Sequence, residues 1–325
     1  MNENFLLASK IAQNFNKKYG VITYSGTLAI EVALSNLGLG KGDKVLVLSE
    51  VCYSIVNTIL KLDLIPVIVT SKNRLYLTDE DIDNVLEKQN IKCILLVHQY
   101  GILNKINLEK YRTQDIKIIE DVAQSWNIGS DDYKIGEHSD IVVTSFGKTK
   151  PLSYGIGGGV FFNDKSVFKN IDYCDNESRE NENILLSYAY PLCKKINYDD
   201  LKNIADGIVF EQRMNSERYK KLFSKSSIVK YIKSNDNNVW HRFPIWVDDE
   251  KIYNCIINKL SCTELEYQLP HEIELSELKR NKNCVHYNYN IQSKLIILLR
   301  TRNVNIDKQI KILEGIIDNV VLQLM

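Results

Sequence analysis

The first half of the chain alternates short apolar runs with segments whose apolar residues recur at helical spacing. The runs that predict strands are rich in Val and Ile and are bounded by turn residues: Val21 to Tyr24, Lys44 to Leu48, Ile65 to Thr70, Cys93 to His98, Ile116 to Asp121, Asp140 to Phe146 and Gly158 to Phe162. Residues 28–37, 54–62 and 79–88 between them predict helices. The last has Thr78 as its N-cap, followed by acidic residues whose negative charges interact favourably with the helix dipole. Apolar strands separated by helices predict an α/β domain with a mostly parallel sheet of about seven strands.

The pattern changes after residue 165. Residues 165–198 are polar and irregular, and 175–183 predict a solvated loop. A long helix is expected at about 200–222, followed by a strand at 241–247, a helix at 251–260 and an amphipathic helix from 306 to about 321. We therefore expect a large α/β domain over residues 1–225, including the linking helix, and a small C-terminal α+β domain over 226–325.

Composition excludes several classes of function. The chain has 325 residues, is 44% hydrophobic and 25% charged, and has a formal net charge of zero. Balanced charge argues against nucleic acid or an anionic membrane as the main partner, and no apolar run approaches the roughly 20 residues that cross a bilayer. The first residues do not resemble a signal peptide. The seven cysteines lack a Cys-x-x-Cys and the five histidines are dispersed, so we expect reduced thiols, no metal site and a cytoplasmic protein.

A lysine that follows a strand and faces a glycine-rich loop is the first candidate for chemistry. Thr144-Ser145-Phe146-Gly147-Lys148-Thr149-Lys150 ends a strand and leads into Gly155-Ile156-Gly157-Gly158-Gly159. The amine of Lys150 could form an imine with an aldehyde cofactor and, once released, move a proton between substrate carbons. Lys148 is its rival, and either could be a surface lysine in a polar turn. The glycine run does not fit a dinucleotide site, because it precedes a strand and lacks the spacing Gly-x-Gly-x-x-Gly.

Two other strand ends carry complementary residue types. Asp121 closes a strand and would point into a ligand crevice, where a carboxylate can keep a pyridine nitrogen protonated. Ser25-Gly26-Thr27 joins a strand to a helix whose first N–H groups favour a phosphate, and the Ser145 hydroxyl could bind the same group. Simple helix capping at 25–27 and a solvated strand-end acid at 121 are the alternatives. Taken in order along the chain, the three features indicate a pyridoxal phosphate site.

These residues resemble the DegT/StrS-type sugar aminotransferases, a branch of the fold-type I pyridoxal phosphate enzymes. The resemblance covers roughly residues 8–165 well and the remainder loosely. Five motifs match in order and spacing: Ser25-Gly26-Thr27-Leu28-Ala29, Gly40-Lys41-Gly42-Asp43-Lys44-Val45, Val97-His98-Gln99-Tyr100-Gly101, Ile119-Glu120-Asp121-Val122-Ala123-Gln124-Ser125, and Ser145-Phe146 with Lys150. The resemblance implies the fold-type I architecture and pyridoxal 5′-phosphate as cofactor.

The resemblance also implies a role for each matching residue. Lys150 becomes the imine lysine and Lys148 a bystander. Asp121 becomes the partner of the ring nitrogen, and Gln124 would contact the ring hydroxyl. The phosphate would be bound by Gly26, Thr27 and Ser145.

Aromatic and intersubunit roles follow in the same way. Tyr53 falls where the family places an aromatic over the cofactor ring; a core aromatic at a helix start is the alternative. Family members are homodimers with shared active sites, so a dimer is implied. In such a dimer Asn197 would reach the cofactor phosphate of the partner chain.

The activity that the resemblance implies is a ping-pong amino transfer, usually from glutamate to a nucleotide-linked keto-sugar, in making an amino sugar for a surface polysaccharide. A lysine at position 150, where dehydratase relatives have a histidine, argues against dehydration. Two departures concern the substrate side: Ile156 replaces an acid in the glycine loop, and Asn197-Tyr198-Asp199-Asp200-Leu201 lacks the arginine of the intersubunit motif. An aminotransferase for a smaller aldehyde or ketone, and a non-catalytic homologue that binds the cofactor, are the alternatives.

Overall fold

The computed structural model describes residues 3–71, 74–164, 197–234, 237–270, 284–288 and 295–324. The first part of the chain contains α1 (Glu3–Asn14), β1 (Tyr19–Thr23), α2 (Gly26–Ser35), β2 (Lys44–Leu48), α3 (Tyr53–Lys61), β3 (Ile65–Thr70), α4 (Asp79–Leu86), β4 (Ile91–Val97), a 3-10 turn (Gln99–Gly101), α5 (Leu108–Arg112), β5 (Lys117–Asp121), β6 (Gly129–Ser130), β7 (Tyr133–Lys134), β8 (Ile141–Ser145) and β9 (Gly158–Phe162). The second part contains α6 (Tyr198–Phe223), β10 (Lys230–Tyr231), β11 (Arg242–Val247), α7 (Glu250–Ser261), β12 (Tyr267–Gln268), β13 (Val285–Asn288), β14 (Leu295–Arg300) and α8 (Ile306–Leu324). The loop expected at 175–183 lies outside the described residues.

One large sheet organises the first part of the chain. Its strand order is β1-β9-β8-β5-β4-β2-β3-β13, and β9 runs antiparallel to both of its neighbours while the other pairings are parallel. All the strands predicted before residue 165 are present. An eighth strand, β13, comes from the C-terminal part and pairs with the β3 edge. The mostly parallel α/β architecture predicted from the sequence is confirmed.

The strands of the large sheet are rich in apolar residues and mostly buried, as is typical of parallel sheets covered on both faces. Every residue of β9 is buried, as are the inner residues of β2 and β4. The N-cap prediction at α4 is confirmed. The Thr78 hydroxyl accepts the Asp81 N–H at 3.2 Å, and the Asp81 carboxylate accepts the Thr78 N–H at 2.9 Å, which together make a capping box.

The second part of the chain forms a four-stranded antiparallel sheet in the order β10-β11-β14-β12, hereafter the C-terminal sheet. An aromatic group from α6 and β11, comprising Tyr219, Phe223 and Phe243, packs beside it with ring centroids 5.4–6.3 Å apart. The predicted helices at 251–260 and 306–321 correspond to α7 and α8. In the described part of the chain, no helix combines the length and the apolar character that a membrane span needs.

The loop after β4 touches the entry to β11, and this contact fixes where the C-terminal sheet sits. The Gly101 carbonyl accepts the N–H groups of Val239 at 2.8 Å and of Trp240 at 3.2 Å. Gly101 has a φ of +74°, and a Cβ on it would lie 2.7 Å from the His241 nitrogen. Only glycine therefore fits there, and the close approach brings His241 to the edge of the large sheet where β4 and β5 end.

Candidate functional site

The predicted site residues meet at one edge of the large sheet. Strands β1, β8 and β5 run in the same direction, so their carboxyl ends lie at that edge together. Asp121 ends β5, Ser145 ends β8, and Gly26 begins the helix that follows β1. Ligands of open α/β sheets bind outside the carboxyl ends of the strands.

The start of α2 and the end of β8 form a tight cradle. A Cβ on Gly26 would lie 2.8 Å from the Ser145 Cβ, and a Cβ on Gly158 would lie 2.6 Å from the backbone of Ser25. Ser25 is the N-cap of α2 and accepts the Leu28 N–H at 3.1 Å, so the helix capping considered for residues 25–27 is present. Thr27 is exposed beside it. The first N–H groups of α2 lack intrahelical acceptors, and with the helix dipole they favour an anion here.

Asp121 is a buried carboxylate with one hydrogen bond from the protein. Its Oδ1 accepts the Ala123 N–H at 2.8 Å, and no other described residue donates to it. Burial raises the pKa of Asp121, while the Ala123 N–H and the charges of Lys150 and His98 act in the opposite direction. A buried carboxylate with an unsatisfied oxygen is suited to a positively charged N–H donor from a ligand.

Lys150 lies in the loop between β8 and β9 and faces Asp121. Burial lowers the pKa of Lys150, and the positive charge of Arg242 adds to this effect, whereas Asp121 and Cys52 oppose it. Its amine has no hydrogen-bond partner among the described residues. Lys148 is exposed. Of the two candidate lysines, Lys150 is therefore the one beside the carboxylate, and the lowered pKa of its amine suits a nucleophile.

A buried polar network supports the ends of β4 and β5 from behind. The Glu120 carboxylate accepts the Tyr133 hydroxyl at 2.9 Å and the Gly136 N–H at 2.7 Å, and it lies 3.4 Å from the His98 Nε2. Burial raises the pKa of Glu120, but hydrogen bonds from its neighbours, led by His98, outweigh it and hold that pKa below its ordinary value. Lys17 donates to the carbonyls of Gly136 at 2.7 Å and Ser139 at 2.5 Å. This network fixes the backbone next to Asp121.

The remaining predicted residues occupy three different places. The Gln124 side chain accepts the Tyr100 N–H at 2.8 Å and donates to the Gln99 side chain at 3.3 Å. Tyr53 begins α3, is partly buried against the large core, and follows Cys52, which is close enough to influence the pKa of Lys150. Asn197 is exposed and caps α6 by accepting the Asp199 N–H at 2.9 Å. No hydrogen bond among the described residues joins Asn197 to the strand-end residues.

These residues fit pyridoxal phosphate. Lys150 has an amine without a hydrogen-bond partner among the described residues, which could meet an aldehyde, and the Asp121 carboxylate has a second oxygen that could accept a pyridine N–H. The cradle between Gly26 and Ser145 lies at a helix N-terminus, where a phosphate is favoured. The three groups belong to adjacent elements at one sheet edge, which is the arrangement that a single small cofactor requires.

The structure adds three basic residues that the sequence analysis did not single out. His241, Arg242 and Arg302 come from the ends of β11 and β14 and lie near Lys150. His241 is 5% exposed, and its Nδ1 has no hydrogen-bond partner in the part of the chain that the structure describes. The sequence around His241-Arg242 gave no indication of a site, because the residues that the dipeptide approaches, such as Lys150, are far away in sequence.

Sequence comparison finds relatives along most of the chain. The sequence profile of the DegT/DnrJ/EryC1/StrS aminotransferase family matches residues 2–283. A GDP-perosamine synthase of Escherichia coli O157:H7 is 25% identical over 297 residues, which span 85% of this chain and 79% of that protein. A 3-oxo-glucose-6-phosphate:glutamate aminotransferase of Bacillus subtilis (strain 168) is 23% identical over 331 aligned positions, covering 93% of this chain and 72% of that protein.

Structure comparison identifies the same fold. The PMP form of a putative sugar aminotransferase, Spr1654 of Streptococcus pneumoniae, superimposes with a TM-score of 0.78 at 16% identity, covering 99% of this chain and 92% of that one. This likeness concerns the fold alone. It confirms the fold class predicted from the strand pattern and the motifs.

Proposed function

The chain belongs to the DegT/DnrJ/EryC1/StrS aminotransferase family, and we propose that it transfers an amino group, from glutamate, to a nucleotide-linked keto-sugar. The observation that carries the amino-transfer chemistry is the pairing of Lys150 with Asp121 at the sheet edge, where each influences the pKa of the other. The product would be an amino sugar for a surface polysaccharide.

Each residue of the site has a role in this proposal. Lys150 would hold the aldehyde of pyridoxal 5′-phosphate covalently and, once displaced by substrate, would take and return a proton at its Nζ. Asp121 would keep the proton on the ring nitrogen. Gly26, Thr27 and Ser145 would bind the phosphate. When bound, the cofactor supplies an electron sink for the substrate carbon that loses its proton.

Three further residues would complete the cofactor site. Gln124, already oriented by Gln99 and the Tyr100 N–H, would contact the ring hydroxyl. Tyr53 would cover one face of the ring. Asn197, exposed at the start of α6, would reach the cofactor phosphate of the partner chain in a homodimer.

The choice of substrate is supported by the relatives. The GDP-perosamine synthase aligns along 85% of this chain, which favours a nucleotide-linked acceptor. The Bacillus subtilis relative aligns along 93% of it, and the name of that protein specifies a sugar phosphate and glutamate. A smaller phosphorylated keto-sugar is therefore the second candidate acceptor.

The proposal can be tested in three steps. Borohydride reduction of the holoenzyme, followed by peptide mass spectrometry, should label Lys150 and not Lys148. In a separate, unreduced sample, glutamate should discharge the visible absorbance of the lysine-bound cofactor, and a panel of nucleotide-linked keto-sugars should restore it. Restoration only by sugar phosphates or small ketones would replace the first acceptor with the second. Labelling of a different lysine would refute the site.

A further inference from the structure

The edge of the site formed by β11 contains polar groups that the cofactor residues leave unsatisfied. His241 is 5% exposed, and its Nδ1 makes no hydrogen bond with any described residue. Tyr100 is 3% exposed, and although the Gln99 side chain lies close enough to influence the pKa of its hydroxyl, no hydrogen bond of normal geometry reaches that hydroxyl among the described residues. Leaving such a group unpaired destabilises a protein, so unpaired buried groups beside an active site indicate a missing ligand.

Arg242 connects these two groups. Its Nη1 donates to the His241 carbonyl at 2.9 Å, and no further acceptor among the described residues meets its guanidinium. Its charge acts on His241, on Lys150 and on the Tyr100 hydroxyl, so the four side chains share one region. The remaining donors of a partly buried arginine are thus available to a ligand.

The charge of this region is positive. Burial, followed by the charges of Lys150, Arg242 and Arg302, holds the pKa of His241 well below its ordinary value, so the imidazole is neutral at physiological pH. The nearby carboxylate of Glu50 is already paired with Arg74 at 2.6 Å. Asp121 is the remaining acid that acts on Lys150. An arginine fork, a hydroxyl and a neutral imidazole can all donate, which suits an acceptor with negative charge.

We propose that His241, Arg242 and Tyr100 form a subsite for an oxyanion, a carboxylate or phosphate group, of the substrate that reacts at Lys150. The subsite rests on the proposed function for its substrate. The anion has two possible sources: the carboxylate of the amino donor, or a phosphate carried by the sugar acceptor.

Four variants separate this role from a structural one. His241→Phe keeps a ring of similar size but removes hydrogen bonding, whereas His241→Asn restores a polar atom close to the position of Nδ1. Arg242→Met removes the guanidinium group and keeps much of the aliphatic part of the side chain. Lys148→Met is the matched control, because it removes a positive charge from the Lys150 loop at an exposed position.

The first measurement is calorimetric titration of each holoenzyme with glutarate and, separately, with inorganic phosphate. We expect His241→Phe and Arg242→Met to bind the preferred anion about 10- to 100-fold more weakly than wild type, the size of losing a charge-assisted hydrogen bond. His241→Asn and Lys148→Met should stay within about threefold of wild type. Thermal unfolding of each variant checks that it is folded.

The second measurement assigns the source of the anion. The two half-reactions are followed separately, glutamate with the lysine-bound cofactor and keto-sugar with the amino form of the cofactor. Weaker substrate binding confined to the glutamate half-reaction assigns the donor carboxylate, and weaker binding confined to the other half assigns the acceptor phosphate.

The subsite is overturned if wild type binds neither anion, or if His241→Phe and Arg242→Met bind them as tightly as wild type does. It is also overturned if His241→Asn is no better than His241→Phe and both half-reactions fall equally. The proposed function fails in a different way, through a wild-type enzyme that binds these anions but transfers no amino group.

Discussion

Nη1 of Arg302 donates a hydrogen bond to the backbone carbonyl of Lys150 at 3.3 Å. The same nitrogen lies 3.4 Å from the Lys148 carbonyl. The turn that carries Arg302 is itself well fixed, because Asn215 donates to the Thr301 carbonyl at 2.9 Å and the Thr301 hydroxyl donates to the Trp240 carbonyl at 2.7 Å. The C-terminal sheet thus holds the lysine loop through a side chain that never touches the Lys150 amine.

Arg302→Met should therefore impair positioning more than binding. We expect kcat to fall roughly 10-fold, because a small displacement of a reacting group lowers the rate of reaction. The KM of each substrate should stay within about threefold of wild type. Arg302→Lys, which keeps the charge and can still donate, should recover part of the loss. Lys148→Met is the control. A change confined to KM would mean that Arg302 binds substrate instead of holding the loop.

Asp121→Asn tests the ring-nitrogen partner. The amide keeps the shape and can still accept the Ala123 N–H, which is 2.8 Å from Oδ1, but it cannot hold a proton on a pyridine nitrogen. We expect the single-turnover rate with glutamate to fall about 10²–10³-fold, the size typical of losing a preorganised electrostatic partner. Asp115→Asn, at an exposed position, is the control. An unchanged rate would remove Asp121 from the mechanism.

Gly158→Ala tests the contact between β9 and the start of α2. The added Cβ would lie 2.6 Å from the Ser25 carbonyl, so the phosphate cradle would have to move. Overpacking of this kind destabilises by about 1–3 kcal/mol, and we expect cofactor affinity to fall about 10-fold, measured by absorbance titration of the apoenzyme. Gly40→Ala is the matched control, because its Cβ would meet its nearest neighbour, Asp43 Oδ2, at an ordinary 3.7 Å and Gly40 lies outside the phosphate cradle. Equal affinities in both variants would contradict the cradle.

Lys17 should make stability depend on pH. Burial lowers its pKa from 10.5 to about 8, although Glu120 and Asp140 oppose the shift. Between these two values the unfolded chain binds more protons at Lys17 than the folded protein does. Stability from this group is therefore reduced below pH 8, rises as pH increases towards 10.5, and is constant above that.

Comparison with Lys17→Met isolates this effect. From about pH 7.5 to 9.5, the free energy of unfolding of wild type should rise about 2 kcal/mol more than that of the variant, as measured by urea denaturation. Groups that titrate in both proteins, such as Cys93, cancel in the difference. Parallel pH profiles would show that burial does not lower the pKa of Lys17.

The sequence predicted the parts of this structure that depend on neighbours along the chain. The strand runs and the Thr78 cap were set by local patterns, and both are present. Helix α1 and strand β14 were not predicted, and neither was the strand at 285–288, which is only four residues long. Short strands are defined by their pairing partner more than by their own pattern.

The site divides in the same way. The positions of Lys150 and Asp121 followed from strand ends, and in the structure each of the two influences the pKa of the other. His241 and Arg302 could not be found in that manner, because their approach to Lys150 depends on how the C-terminal sheet docks. Gly101 makes this docking possible because a side chain there would clash with the backbone of Trp240 and His241. The sequence motif that contains Gly101 matched the family, but it did not reveal this close contact.

Strand β13 ties the last hundred residues back into the first sheet. Residues on both sides of position 225 therefore belong to one β-sheet, through the pairing of Val285 with Val67 and of Tyr287 with Val69. A polypeptide truncated at 225 would expose the N–H and C=O groups along the β3 margin, and open margins of this kind recruit other chains. The two halves are best produced as one uninterrupted polypeptide, since a separate N-terminal fragment would be prone to aggregate.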